Sequence, residues 1–570
     1  EDWGAASDCH LRRSFQQGGS LVAMGRGGLG GQSRSRASKP AHDAAGPLPA
    51  HADLVVVGGG CHAAALLMRL LTKGEVLQDP TPPIEGYRHA PKDVRRHLLK
   101  TPVEEGLKQS VVVLDRSGGW LLNWQRAYQA LDIPHLRSPE GLHPDPYDHS
   151  ALPVYAKHAR MEDEFVPMVQ LDRGANRCGG RYCGPFQLPS ARLFAKFCHH
   201  LVRSYGLESL LFEGEVTELR PLDSGFELEV RRGQGSARMT ASNVVLARGP
   251  TCRKRVPDWA EPLLAPSCPC APWAIGHAWD MIAGNGSTSL APEQQQPSSP
   301  WFDAVAPTDR VLVVGGGLTS AHLVTLAAKR GAQVQLVLRG PRKVKQFDLI
   351  LPWFGDDRWS KRHEFEKSAT SQKLSAILKD RDGGSITPEQ NVEVQRLEAA
   401  GRLEVREYTQ VRTAVWVGHE GASGGGGGYW EVCFDDDTDC RCEKIWLATG
   451  SRMDADSDPL LRQLLAQHPI PLHSGFPDVT PTLRWAADVP LHVMGGLAAL
   501  QLGPDAVNLA GGLRGAVRIA ADLKRQLVER RAAREAEEDW RERLDSLDST
   551  GSTDVGSQAT EDSLASSLGM

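Results

Sequence analysis

Short runs of β-branched residues and leucine alternate along the chain with longer segments in which small and apolar residues recur at helical spacing. Six of these runs are continuous rather than alternating in polarity: DLVVVGG, SVVVLDR, NVVLARG, DRVLVVGG, QVQLVLRG and KIWLATG. Continuous apolar strands are typical of a parallel sheet that is covered on both faces. Helical patterns follow two of them, at residues 61–72 and 319–330. This order predicts a doubly wound α/β fold.

Two of the strand–helix junctions contain three consecutive glycines. The positions of a G-x-G-x-x-G motif are filled by Gly58, Gly60 and Ala63 at the first junction and by Gly315, Gly317 and Ser320 at the second. The first glycine makes a tight turn, and the second lets the backbone approach a pyrophosphate. The helix N-terminus offers N–H groups and a positive dipole to the phosphates. We therefore expect a dinucleotide at each junction, with a glycine turn that binds no nucleotide as the alternative.

The strand after the first junction ends in an acid. In VVVLDR this acid is Asp115, followed by Arg116, and we count both among the cofactor-binding residues. A carboxylate here accepts hydrogen bonds from ribose hydroxyls, which suits FAD or NAD. Asp115 lies 57 positions after Gly58, whereas about 20 are usual. An insertion from Lys73 to about Leu107 explains the difference.

The strand after the second junction ends in a cation instead. Arg339 lies 24 positions after Gly315, and Arg342, Lys343 and Lys345 follow it. Such a cluster favours the 2′-phosphate of NADP over the free ribose hydroxyl of NAD. We expect Arg339 and Lys343 to contact this phosphate, with an ordinary solvated basic loop as the alternative. Together the two sites indicate a flavoprotein that takes hydride from NADPH and passes it to bound FAD.

The motif order resembles the two-dinucleotide-binding-domain flavoproteins, and among them the lysine and ornithine N-hydroxylating monooxygenases, over most of residues 51–520. In EKIWLATGSR, the residues Glu443, Leu447, Ala448, Thr449 and Gly450 match the family pattern. Ser451 replaces the family's tyrosine there, and NVVLARGP is a degenerate copy with Arg248 in place of threonine. The resemblance implies that Thr449 and Gly450 belong to the cofactor-binding set.

The resemblance also implies which residues lie beside the flavin. WQRAY places Trp124 and Gln125 where the family has a Trp-His segment along the isoalloxazine, with Gln125 in place of the histidine. We predict both as catalytic-site residues; core packing and a surface amide are the alternative. LAALQLGPDAVNLAGG (497–512) resembles a flavin-closing segment, in which Gly503 and Asp505 belong to a turn that opens a helix. A purely structural capped helix is the alternative there.

The aromatic segment FDLILPWFGDDRW (347–359) follows the second dinucleotide strand. It either lines the cleft for substrate or nicotinamide or forms ordinary core with a turn at its GDD.

The resemblance implies two Rossmann-like domains, one inserted in the other. The expected parts are a disordered leader (1–50), the first part of the FAD-binding domain (51–255), the NADP-binding domain (305–450), the second part of the FAD-binding domain (451–528), and a charged helix with a disordered tail (529–570).

Composition narrows the class of protein without identifying it. Hydrophobic residues make up 41% and charged residues 24%, and the net charge is −5. These values favour a soluble globular protein and give no reason to expect nucleic acid or an anionic membrane as main partner. No apolar run reaches the roughly 18–20 residues of a membrane span. We expect an intracellular protein, cytoplasmic, or organellar if the basic segment from Met24 to Pro49 is a transit peptide.

The eleven cysteines follow no secreted disulfide pattern. Cys178 and Cys183 are spaced C-x4-C, and neither they nor the pairs Cys268/Cys270 and Cys440/Cys442 match a zinc-finger spacing. Free thiols are therefore expected and no metal is predicted.

By resemblance, the expected activity is monooxygenation of an amine-type small molecule with FAD, NADPH and O2, through a flavin C4a-hydroperoxide. The substrate is not specified by the sequence, and assembly of copies of this chain stays open. One alternative is a flavin reductase or oxidase of the same fold; its thiol–disulfide version would use Cys178 and Cys183. Another is a flavin-binding regulatory protein that has lost catalysis.

Overall fold

The computed structural model describes residues 46–72, 105–168, 182, 184, 186–249, 252–283, 299–418 and 427–550. Several predictions lie outside these residues: the leader up to residue 45, most of the insertion after Lys73, the tail after residue 550, and the pair Cys178 and Cys183. Within the predicted leader, residues 46–50 contact the folded core. Gly46 O accepts a hydrogen bond from Arg232, and Ala50 O accepts one from the backbone of Thr240.

The elements follow in chain order. The strands are β1 (His51–Val57), β2 (Val111–Asp115), β3 (Phe165–Pro167), β4 (Gln187–Pro189), β5 (Leu211–Glu213), β6 (Glu215–Leu222), β7 (Gly225–Arg232), β8 (Gly235–Leu246), β9 (Cys252–Lys254), β10 (Ile275–His277), β11 (Arg310–Val314), β12 (Gln333–Val337), β13 (Leu403–Arg406), β14 (Val411–Gly418), β15 (Gly428–Phe434), β16 (Asp439–Cys442), β17 (Lys444–Leu447), β18 (Ser451–Met453), β19 (Leu472–His473), β20 (Phe476–Pro477) and β21 (Leu491–Val493). The helices are α1 (Cys61–Leu71), α2 (Glu105–Lys108), α3 (Leu122–Ala130), α4 (Ala151–Ala159), α5 (Ala191–Ser204), α6 (Ala278–Ala283), α7 (Pro300–Asp303), α8 (Leu318–Lys329), α9 (Arg358–Lys367), α10 (Thr370–Arg381), α11 (Pro388–Ala399), α12 (Pro459–Gln467), α13 (Ala499–Leu502) and α14 (Leu509–Thr550).

The first sheet has the strand order β5-β2-β1-β8-β7-β6, and β21 also pairs with β8. The pairs β5–β2, β2–β1, β1–β8 and β21–β8 are parallel. The pairs β8–β7 and β7–β6 are antiparallel. β1 and β2 are buried along almost their whole length, which is why their sequences are continuous rather than alternating.

The second sheet has the order β10-β17-β11-β12-β13 and is parallel throughout. In the chain, its strands lie between β8 and β21 of the first sheet. A three-stranded antiparallel sheet, β14-β15-β16, precedes β17. The predicted fold class, one Rossmann-like domain inserted in another, is therefore confirmed. β10 joins the second sheet although it precedes residue 305, and the domain bounds themselves stay a prediction.

Small residues set how closely the first helix packs. Ala63, Ala64 and Ala65 of α1 are fully buried, and α1 packs against the first part of α14. Alanine lets helix and strand backbones approach closely, as the third position of the glycine motif requires. Ala516 and Ile519 of α14 lie in the same core as β1. No described helix has the length and apolar character needed to cross a bilayer.

Candidate functional site

The two glycine turns are built alike. Gly58 has φ +110°, and a Cβ there would lie 2.5 Å from the carbonyl oxygen of Ala247. Gly315 has φ +140°, and a Cβ there would collide with the carbonyl oxygen of Ala448. In each case the neighbouring parallel strand ends against the turn, and only glycine adopts this φ and leaves room. The shared requirement explains why the same motif occurs twice.

The neighbouring strands also end alike. Ala247 and Ala448 are each followed by one residue and then by a glycine, Gly249 or Gly450, with φ +83° and +81°. A Cβ at either glycine would meet no atom within 4 Å. NVVLARG is thus the structural counterpart of KIWLATG, as the resemblance implied. Open space beside Gly450 is compatible with its predicted place in a cofactor site.

The second glycines of the two motifs have different surroundings. Gly60 is the N-cap of α1, and a Cβ there would meet no atom within 4 Å. Gly317 is the N-cap of α8, and the backbone of Gly384 lies next to it. The first turn therefore has the open cradle that a pyrophosphate needs. The second turn has the same geometry, but the backbone at Gly384 lies beside it.

Asp115 lies directly beside the first turn. Its Oδ2 accepts a 2.7 Å hydrogen bond from Gly59 N, and its Oδ1 accepts one from Ser117 N at 2.8 Å and another from Ser117 Oγ. Parallel pairing of β1 and β2 brings Asp115 to this position regardless of the residues inserted between them. Its two oxygens offer about four acceptor sites, so capacity for a ribose hydroxyl remains. Arg116 is exposed at the same strand end.

The predicted flavin-face residues lie on α3, which starts at the first turn. Leu121 N donates a hydrogen bond to Gly59 O at 2.8 Å. The Trp124 ring centroid lies 4.2 Å from that of Tyr128 and 5.6 Å from that of Phe194. The Trp124 side chain is half-buried and packs against the hydrophobic core that contains β1 and β2. These contacts agree with the core-packing alternative for Trp124.

Gln125 is half-buried one position further along α3, and its backbone N–H donates to Leu121 O at 2.9 Å. Burial raises the pKa of Tyr128 to about 12. Tyr128 therefore stays neutral beside Trp124 at physiological pH.

Arg248 and Thr449 occupy equivalent positions but have different partners. Arg248 Nη1 donates to both carboxylate oxygens of Asp458, at 3.0 and 2.9 Å. Asp458 in turn caps α12 by accepting from Leu460 N. Thr449 Oγ1 donates to the Arg255 carbonyl. Arg248, which replaces threonine, thus ties the strand end to a helix.

The basic residues after β12 largely have acidic partners already. Arg339 is exposed. Arg342 Nη1 donates to Glu398 at 2.6 Å. Lys343 Nζ lies 2.7 Å and Lys345 Nζ 3.5 Å from the carboxylate of Asp382. The predicted cationic cluster therefore exists at the end of β12, together with acids that the sequence pattern did not associate with it.

The turn that the sequence predicts in the Leu497–Gly512 segment is present. Pro504 and Asp505 form it, and the helix begins after it, at Leu509. Asp505 is fully buried and accepts from Arg514 at 2.6 and 2.7 Å, so burial and charge pairing fix its position. Gly503 has φ +100° and lies against the ring of Trp353.

His62, on α1, was not singled out from the sequence. Its Nε2–H donates to the Asn508 carbonyl at 3.2 Å. Its ring also lies where a side chain at Gly512 would have to fit. Burial lowers the pKa of His62 below its ordinary value, against an opposing contribution from the bond to Asn508. His62 therefore links the first glycine turn to the predicted flavin-closing segment.

The aromatic segment 347–359 contains both buried and exposed aromatic side chains. Trp353 is fully buried, and its Nε1 donates to Asp380 at 2.9 Å. Phe347 is buried, and its ring packs 4.8 Å from that of Phe354 and 5.1 Å from that of Tyr182. Trp359 is 52% exposed. The first two residues are core, as one alternative held.

A cleft of about 380 Å³ runs beside α8. Leu318, the residue after Gly317, is among the residues that line it. Its charged lining includes the acids Asp132, Glu389 and Glu393 and the bases Arg137 and Lys329.

Within the described residues, no three potential metal ligands come together. The free thiols among them are Cys61, Cys198, Cys268, Cys270, Cys433, Cys440 and Cys442.

Sequence comparison finds no matching protein-family model and no matching curated protein. Structural comparison finds the reduced ornithine hydroxylase PvdA of Pseudomonas aeruginosa, with a TM-score of 0.56, 15% identity, and coverage of 84% of this chain and 99% of that one. The ornithine N-hydroxylase KtzI of Kutzneria sp. 744 gives a TM-score of 0.55 and 15% identity over 84% and 99%. The FAD-bound cadaverine monooxygenase DfoA of Erwinia amylovora gives 0.53 and 13% over 82% and 93%. The chain therefore has the fold of these two-dinucleotide-binding-domain flavoproteins.

Proposed function

We propose that this protein is an FAD- and NADPH-dependent monooxygenase that acts on an amine-type small molecule. The observation that carries the proposal is the pair of matched glycine turns, each packed against the end of its neighbouring strand. An acid, Asp115, lies beside the first turn, and cations follow the strand beside the second. This asymmetry suits an adenosine with free ribose hydroxyls at the first turn and one with a 2′-phosphate at the second.

At the first turn, the N-terminus of α1 would hold the FAD pyrophosphate and Asp115 its ribose. The open space at Gly60 supports this assignment, because a ligand backbone can approach there without meeting a side chain. FAD, when bound, supplies the redox chemistry and the reaction with O2. Trp124, Gln125, His62 and the turn at Gly503 are the residues of this chain that we place around its ring.

At the second turn, the N-terminus of α8 would hold the coenzyme pyrophosphate. Gly317 is its N-cap, and Ser320 is buried one turn in, with its Oγ donating to Gly317 O at 2.6 Å. Arg339 and Lys343 follow the next strand and would bind the 2′-phosphate. Thr449 and Gly450 follow β17, the strand paired with β11 beside the second turn, and we place them in the cofactor-binding set.

The amine class rests on the structural comparison. The three solved structures named above belong to proteins described as acting on ornithine or cadaverine. The cleft beside α8 adds no charge preference, because Asp132 pairs with Lys329 and Glu393 with Arg396. We propose that the substrate carries an amino group.

Product analysis tests the proposal. Purified FAD-loaded protein is given NADPH, air and ornithine, lysine or cadaverine, and NADPH oxidation, hydrogen peroxide and hydroxylated amine are measured together. Monooxygenation predicts hydroxylated product with at least one amine and less peroxide than NADPH oxidised. Peroxide equal to NADPH with every amine would instead support a flavin reductase or oxidase. No NADPH oxidation would support a flavin-binding protein without catalysis.

A further inference from the structure

A short strap of chain, Asp382–Ile386, connects α10 to α11 and passes the second glycine turn. Asp382 and Gly383 have φ +49° and +73°, so the chain reverses direction as α10 ends. A Cβ on Gly384 would lie 2.9 Å from Gly317 Cα and 3.0 Å from Gly317 N. The strap therefore lies in backbone contact with the N-cap of α8, where a coenzyme pyrophosphate would bind.

The strap is hydrogen-bonded to the basic loop after β12. Ile386 N donates to Lys343 O and Lys345 N donates to Ile386 O, both at 2.9 Å. Lys343 Nζ also donates to the Asp382 carbonyl at 3.0 Å and to its carboxylate at 2.7 Å. The hydrogen bond from Lys343 lowers the pKa of Asp382, so the acid is ionised at neutral pH. The Asp382 carboxylate thus already pairs with Lys343, which is predicted to bind the 2′-phosphate.

The two ends of the strap are held differently. Ser385 is buried, and its Oγ accepts from Arg137 at 2.7 Å. Arg137 also donates to the carbonyls of Lys345 and Gln346, at 2.8 and 2.6 Å. Asp382, Gly383 and Gly384 are exposed, and the Asp382 side chain is 48% exposed. Ser385 is thus held by buried hydrogen bonds, whereas the exposed residues beside Gly317 are held mainly by the ion pair of Asp382 with Lys343.

We propose that Asp382 is an internal counter-ion that the 2′-phosphate of NADPH displaces from Lys343 and Lys345, which moves Gly383 and Gly384 away from Gly317. This inference rests on the proposed function, because it takes the second turn as the NADPH site. An exposed ion pair contributes little to stability, whereas a phosphate brings nearly two charges and three acceptor oxygens. Asp382 is then a specificity-determining residue: a nucleotide without the 2′-phosphate cannot replace it.

Calorimetric titration of the FAD-loaded protein tests this with adenosine 2′,5′-bisphosphate and 5′-AMP, which differ only in the 2′-phosphate. Asp382→Asn keeps the side-chain shape and tolerates positive φ. We expect it to raise the affinity ratio of bisphosphate to AMP by about fivefold or more. Lys343→Gln should lower the ratio by a similar factor. An unchanged ratio in both variants overturns the proposal.

The matched control is Asp437→Asn. Asp437 also has positive φ, +62°, and its carboxylate lies 2.7 Å from an exposed arginine, Arg412, on the antiparallel sheet. Its substitution should leave the ratio at the wild-type value, and an equal rise there would also overturn the proposal. If neither nucleotide binds any variant, the proposed function fails as well. If wild type and Asp382→Asn bind both with the same ratio, only the inference about Asp382 fails.

Discussion

The backbone N–H of Gly59 donates a 2.7 Å hydrogen bond to Oδ2 of Asp115, although 56 positions separate the two residues in the chain. Strand pairing places them together: Val57 at the end of β1 lies opposite Leu114 in β2. The inserted residues therefore leave the acid where a short connection would have put it. The same bond means that Asp115 holds the turn in shape as well as facing the candidate ribose position.

We predict that Asp115→Ala weakens both folding and flavin retention. Gly59 N–H is buried and would lose its acceptor, at a cost of about 1–3 kcal/mol in the free energy of unfolding. Urea unfolding and the flavin content of the purified protein measure the two effects. Ser117→Ala is the control, because it removes a neighbour of Asp115 but leaves the bond to Gly59. Wild-type stability and flavin content in Asp115→Ala would show that the acid is dispensable.

Alanine substitutions at Gly58 and Gly60 of the first turn should affect different properties: the first should lower stability and the second should lower the affinity for FAD. Gly58→Ala forces a side chain to within 2.5 Å of the Ala247 carbonyl at positive φ, so we expect a loss of more than about 2 kcal/mol in stability. Gly60→Ala has room and an ordinary φ of −86°, so it should cost only about 1 kcal/mol, the usual loss when alanine replaces a better N-cap residue. Its affinity for FAD should nevertheless fall, because the added methyl occupies the cradle. Equal flavin affinity in Gly60→Ala and wild type would argue against a pyrophosphate at this position.

Asp505 should behave as a structural residue. Its buried carboxylate pairs with Arg514, so Arg514→Gln leaves a buried charge without its partner and should cost about 3–5 kcal/mol. Arg412→Gln breaks an exposed pair and should cost less than about 1 kcal/mol. Thermal unfolding of the two variants side by side makes the comparison. Similar small losses in both would show that Asp505 is better solvated than its burial indicates.

Acid should destabilise the fold partly through His322. Burial lowers its pKa from 6.5 to about 4, so the unfolded chain binds a proton more readily than the folded one below pH 6.5. The free energy of unfolding is unaffected by His322 above pH 6.5, where the residue is neutral in both states, and it decreases as the pH falls from 6.5 toward 4. At pH 5.5 this decrease is about 1 kcal/mol. We predict that His322→Gln reduces the difference between urea midpoints at pH 7.5 and 5.5. The exposed His363, changed to Gln, should leave that difference unaltered.

The sequence predicts the features that local backbone geometry dictates. Continuous apolar runs identified the central strands, and the glycines identified both turns, because positive φ and close strand approach restrict Gly58 and Gly315 to one residue type. The likeness of NVVLARG to KIWLATG also predicted that the two strand ends are equivalent.

Contacts between distant polar residues were not predictable in this way. Asp458 and Arg248 lie 210 positions apart, and Asp382 meets Lys343 across 39. Such residues look like ordinary surface charges in the sequence, and only the folding of each domain brings them together. His62 had a local signal, since it follows Gly60 at a helix N-terminus, but its partner at Asn508 is 446 positions away. The residue types predicted the turn at Gly503 and Asp505 but not the residue at which the helix begins, because Gly-Pro-Asp also suits a turn that lies before a helix.

Anaerobic titration of the FAD-loaded protein with NADPH tests most directly whether the two turns form one hydride-transfer system. We predict that NADPH bleaches the flavin absorbance of wild type, that NADH does so much more slowly, and that Gly317→Val retains FAD but resists reduction by NADPH. The valine would narrow the space between the N-cap of α8 and Gly384 without touching the first turn. A flavin that stays oxidised in wild type, or that is reduced equally well in Gly317→Val, would contradict the assignment of the second turn to NADPH.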